Sequence, residues 1–175
     1  MENIRFVIAV LKFEYDLLNS DKENYEKEFI SMSEYEEDTI GQWLKIAKAK
    51  GDTENSDPIL LELIVELHKK IDRLTSIVKG EERKLINLPN KDEINQIGFE
   101  HIKSDRELFE IGKEYYLRIS MPVFPKREIP IIAKAISKDI LEFIKIHQKD
   151  EKDWASYIMA RERVMIREKR AKKDV

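Results

Sequence analysis

Between Pro58 and Gly80, six apolar residues (Leu60, Ile64, Leu67, Ile71, Leu74 and Val78) recur at alternating spacings of four and three. A strand repeats every two residues and cannot keep this set on one face. A helix of about 3.6 residues per turn does. Asp57 stands where an N-cap belongs, Pro58 at the first helical position, and Gly80 just past the end, each a residue type suited to its place. The stretch therefore predicts a helix over 58–79 carrying a heptad seam. Leu60, Leu67 and Leu74 occupy d; Ile64, Ile71 and Val78 occupy a. Leucine at d with β-branched residues at a favours a parallel two-stranded coil. Leu61, Leu63 and Ile77 fall at e and g and widen the stripe beyond what two strands bury. Either the N-terminal helices cover the extra width or the assembly has more than two strands. The expected partner is a second copy, in a homo-oligomer of two to four chains. The competing reading is an amphipathic helix packed on its own domain.

Upstream, residues 4–18 are apolar and lean towards a helix, although β-branched Val7, Ile8 and Val10 blur the choice. Ser20 and Asp21 can cap a following helix, and Ser33 with Glu36 has capping-box spacing. Ile40, Trp43, Leu44 and Ala47 then fall at helical spacing before Gly51, and 51–57 is a polar connector.

Downstream of Gly80 the period drops to two. Leu85–Leu88 is a short candidate strand, and 97–102 alternates. Gly112 precedes YYLRISM, in which Leu117, Ile119 and Met121 share a face. Pro122 and Pro125 mark a loop, and Ser137-Lys138-Asp139 reads as a hairpin turn between IIAKAIS and ILEFIKIH. Short strands with hairpin-sized links predict an antiparallel meander or small barrel. From about Asp150 the helical period returns, with Trp154, Tyr157, Ile158, Val164 and Met165. The expected class is α+β: a helical oligomerisation region over 1–80, then a small β-barrel with a C-terminal helix over 81–175.

Composition narrows the chemistry. The 175 residues include no cysteine, which excludes disulfides and thiolate-bound zinc. The three histidines, His68, His101 and His147, are far apart in sequence, so no metal site is expected. No phosphate-binding loop, nucleophile elbow or zinc-protease motif is present, so the chain reads as non-enzymatic. Net charge is −3. Residues 161–173 carry seven basic side chains against two acidic, but without interleaved aromatics. Nucleic acid is therefore not the expected partner, although a nucleic-acid or acidic-partner binder using this basic helix stays open as an alternative. The apolar run 6–11 is too short to span a bilayer and lacks the flanks of a signal peptide. No membrane insertion and a cytoplasmic location are expected.

From residue 58 onward the order of elements resembles the PilZ domain family. The resemblance rests on the leucine-rich helix LLELIVELHKKIDRL, the turn-plus-glycine EINQIGF, the strand FEIGKEYYLRISMP and the Arg-rich terminal helix DEKDWASYIMARERVMIREKR. It implies a small antiparallel barrel with a C-terminal helix. It also implies bacterial signalling or motility, with another signalling or motility protein as a partner. Many members bind cyclic di-GMP through an R-x-x-x-R segment ahead of the barrel and a D/N-x-S-x-x-G segment. Here the second segment falls on Glu93, Asn95 and Gly98, and only Gly98 matches. The nearest approach to the first is Lys79 to Arg83, with Glu81 and Glu82 between them. Lysine does not replace arginine at a bidentate guanine or phosphate contact. The expectation is thus a non-catalytic adaptor without a cofactor, like those members that lack the ligand motifs. The alternative is a cyclic di-GMP receptor with a degenerate site of Lys79, Arg83, Glu93, Asn95 and Gly98.

Overall fold

The structure, a computed structural model, describes residues 4–34, 39–80, 85–122 and 127–171. Contacts divide the chain into two compact units, Met1–Phe29 with Asn87–Val175, and Ile30–Ile86.

The first unit is a closed antiparallel barrel. Its strands are β1 (Val7–Leu17), β2 (Asn90–Ile97), β3 (His101–Lys103), β4 (Glu114–Met121), β5 (Arg127–Ala135) and β6 (Ile140–Ile146). They close in the order β1-β2-β3-β6-β5-β4. The residues expected to form a helix at 4–18 are instead strand β1, so the helical region does not begin at the N-terminus. The reason is period two: Val7, Ala9, Leu11, Phe13 and Tyr15 are buried in the core, while the residues between them point outward. Outward-facing Ile8 and Val10 are apolar and exposed, and they hid this alternation.

Residues 85–88 are not a strand; Leu88 is buried in the approach to β2. The run 97–102 is not one strand but the end of β2, a turn and β3. β2 itself is the polar stretch NKDEINQI, of which Ile94 and Ile97 are buried. It is held as strand by its register on β1, from Tyr15↔Asn90 to Val7↔Ile97, an instance of tertiary context overriding propensity. The turn expected at Ser137-Lys138-Asp139 joins β5 to β6. Helix α4 (Gln148–Ala171) follows, and its Trp154 and Ile158 join the barrel core.

Among the described residues, three α-helices follow β1 before β2: α1 (Lys22–Glu34), α2 (Thr39–Lys50) and α3 (Pro58–Val78). Gly51 ends α2 with φ +82, a left-handed value that suits glycine. The Ser33–Glu36 capping box reaches outside the described residues. α3 starts as the sequence predicts: the Asp57 carboxylate accepts from the amides of Ile59 (2.8 Å) and Leu60 (3.4 Å). Gly80 follows its end with φ +72.

Candidate functional site

Of the residues matched to a ligand motif, Glu93 and Asn95 lie on β2 and Gly98 just after it. Lys79 caps the C-terminus of α3 in the other compact unit. Arg83 lies outside the described residues. Glu93 is exposed beside Lys12, Glu14, Lys91 and Asp92 in a shallow, open depression. This surface mixes both charge signs and encloses nothing. Asn95 is used locally: its side-chain oxygen accepts the Asp105 amide at 3.0 Å.

Gly98 has a structural duty. Its amide donates to the His101 carbonyl at 2.7 Å, closing the turn between β2 and β3. Its own carbonyl accepts the Trp154 indole N–H at 2.9 Å, tying that turn to α4. A Cβ here would lie 3.1 Å from the Arg5 carbonyl oxygen, a close backbone approach that favours glycine. Its φ is not positive. The barrel begins at Val7, and within residues 1–6 Arg5 is the one basic residue. Arg5 pairs with Glu162 on α4 at 3.1 Å.

The most elaborate polar arrangement was not anticipated. On β4, Leu117, Ile119 and Met121 face the core, so Tyr116 and Arg118 face out. Both are nonetheless buried, Arg118 with 4% exposure, because the first turns of α1 cover them. Arg118 donates to Glu28 on α1 (3.0 Å) and to Glu14 on β1 (2.7 Å). The Tyr116 hydroxyl donates to Glu28 at 2.8 Å. Tyr25 stacks on Tyr116 with ring centroids 5.1 Å apart and donates to Asp16 at 2.7 Å. Beside them, the His147 ring stacks on Phe29, and its Nε2 is 2.7 Å from the Phe29 carbonyl oxygen. The Lys91 ammonium, then Arg118, hold the Glu14 carboxyl below its ordinary value. Burial, reinforced by Glu28, pushes the Tyr116 hydroxyl well up. Burial alone would lower the Arg118 value, but Glu14 and Glu28 outweigh it and the pKa rises. Every charge here has a partner, which is what a buried ionic cluster needs to persist. The cluster fastens the first turns of α1 to the barrel. A signal for it existed in the sequence: arginine in the middle of an apolar strand demands partners.

No family model, curated protein or solved structure matches this chain. The remaining candidate is α3 itself, and its geometry differs from everything above. None of its residues is buried. All six seam positions are exposed, from Ile71 at 51% to Val78 at 85%. Leu61 and Val65 are half-buried, and α2 is in contact with α3. The width noted in the sequence is thus split: Leu61 at e is partly covered within the chain, while Leu63 and Ile77 at g are exposed. Among the described residues, no group of three or more His, Asp or Glu side chains could hold a metal ion. No helix among them is long and apolar enough to cross a membrane.

Proposed function

We propose that this chain is a non-catalytic, PilZ-like adaptor that self-associates through α3. The observation that carries this reading is the uncovered seam. A monomeric domain rarely leaves a contiguous apolar stripe of this extent in water. Each seam side chain is worth about 1.5–3 kcal/mol when fully buried. A heptad stripe is self-complementary, since a and d knobs fit the holes of an identical parallel helix.

The closed barrel and the terminal helix support the PilZ-like part of the reading. The ligand motif favours an adaptor over a receptor for cyclic di-GMP. Gly98 packs against the Arg5 carbonyl, the Asn95 side-chain oxygen accepts a backbone amide, and residues 1–6 hold a single arginine, itself paired with Glu162. The setting that goes with this reading is bacterial cytoplasmic signalling related to cyclic di-GMP or motility, with another signalling protein as the adaptor's client.

Sedimentation equilibrium at tens of micromolar tests the reading. The unmodified chain is expected to be oligomeric. The double variant Leu67→Asp/Ile71→Asp is expected to be monomeric with its strand signal retained in circular dichroism. A monomeric unmodified chain overturns the proposal. Calorimetric titration with cyclic di-GMP is expected to give no saturable sub-micromolar binding; such binding would restore the receptor reading.

A further inference from the structure

We propose that the self-association surface includes α2: Trp43 and Ile46 of one copy receive Leu63 of the second, giving a dimeric bundle of four helices. The inference rests on self-association through α3 and fixes its partner, its copy number and its second helix.

The two helices share a regularity. On α2, Leu44 and Ala47 are buried, and the residue just before each, Trp43 and Ile46, is exposed. On α3, Leu61, Val65 and His68 are half-buried, and the residue just before each, Leu60, Ile64 and Leu67, is exposed. One residue is a rotation of about 100° on a helix. Both uncovered stripes are therefore displaced from the covered line by the same angle in the same sense. The connector over 51–57 is of the length that makes neighbouring helices antiparallel. Viewed along one axis, antiparallel helices wind in opposite senses and present opposite facing directions. Equal displacements then bring both stripes to the same side of the hairpin. Trp43, 64% exposed, and Ile46 become the flank of the α3 seam.

The e and g residues say what sits on that flank. In a parallel pair, g of one helix faces e of the other. The e side of α3 carries Leu61 and His68, both half-covered, and the inference assigns α2, the helix in contact with α3, to that side. The g residue Leu63 is exposed. Leu63 of the second copy is thereby delivered beside α2, at the level of the residues that α2 covers. Its apolar counterpart there is Trp43 with Ile46. The extra width that a bare two-stranded seam cannot bury is accommodated without a third chain: own-chain α2 covers e, and the partner's α2 edge covers g. On the two helices Trp43, Ile46, Leu63 and all six seam residues are exposed, a contiguous apolar surface of the kind that marks a protein–protein contact.

The chain has two tryptophans, and the other, Trp154, is 1% exposed in the barrel core, so any change of emission on assembly reports Trp43. Fluorescence and sedimentation mass are to be followed together on dilution of the full-length protein. The inference expects a dimer mass, and an emission that moves to longer wavelength as the dimer dissociates. It expects Trp43→Ala and Leu63→Ala each to raise the dissociation constant at least about tenfold, and the double variant to be far from additive. Circular dichroism of each variant confirms that the hairpin remains folded. A dimer that Leu67→Asp/Ile71→Asp dissociates, but whose Trp43 emission ignores dilution and whose two alanine changes add independently, overturns the role of α2 and leaves α3 self-association standing. A trimer or tetramer also overturns it. A monomer removes both.

Discussion

Leu117 on β4 and Leu67 on α3 are the same side chain in two well-formed elements, yet one is wholly buried and the other 59% exposed. The barrel uses its apolar residues on itself. Each strand has two hydrogen-bonded neighbours, the sheet has no free edge, and α4 adds Trp154 and Ile158 to the core. Even the outer face of β4 is covered, with Tyr116 and Arg118 beneath α1. α3 has a more regular apolar pattern than any strand, and it spends almost none of that pattern inside its own chain. The barrel's side chains explain how the chain folds. Those of α3 remain exposed, and we propose that a stripe this ordered is an interface.

The largest test of that contrast is Leu117→Ala. It removes a fully buried side chain and should cost about 2–5 kcal/mol in urea unfolding; a loss below 1 kcal/mol would mean that the barrel is loosely packed and the contrast overstated. Next comes Gly98→Val, which forces a branched Cβ against the Arg5 carbonyl 3.1 Å away and should cost roughly 1–3 kcal/mol. Gly98→Ala should fall between valine and the native residue, and equal stability for all three would remove the close-approach explanation.

A smaller effect is expected with pH. Glu14 is held below its ordinary value of 4.5 by Lys91 and Arg118. Its contribution to stability is therefore complete above 4.5 and is lost as pH falls through the lowered value. Urea midpoints should fall more steeply below pH 4.5 for the native chain than for Glu14→Gln, and parallel curves would dismiss the pair. The smallest effect belongs to α3. Leu67→Ala, measured at a concentration where the chain is monomeric, should change stability by no more than about 0.5 kcal/mol. A loss comparable to that of Leu117→Ala would mean that α3 is buried in its own chain.

The parts of this molecule that were legible in the sequence are those whose signal is local. Asp57, Pro58 and Gly80 mark the ends of α3 because caps depend on a few neighbouring backbone groups. The turn at Ser137–Asp139, the inward face of β4 and the helix holding Trp154 follow from period and punctuation. What stayed hidden depends on residues distant in the chain. β1 pairs with strands more than seventy residues away, and Ile8 and Val10 obscured its alternation. β2 is polar on most of its length and becomes a strand through β1. The Arg118 cluster joins Glu14, Glu28 and Tyr116 across the fold, and no spacing in the sequence encodes that meeting. Gly98 stood out in the sequence, but its reason, the Arg5 carbonyl, is tertiary.

Hydrogen exchange followed as a function of protein concentration tests the central claim most directly, because it reads α3 and the barrel in the same molecule. Amides of the barrel strands should exchange at the same rate at all concentrations. Amides of 58–78 should exchange quickly in dilute solution and become protected as concentration rises, in step with the mass of the assembly. Protection of α3 that is strong and independent of concentration would show that the seam is covered within one chain, and would contradict the account.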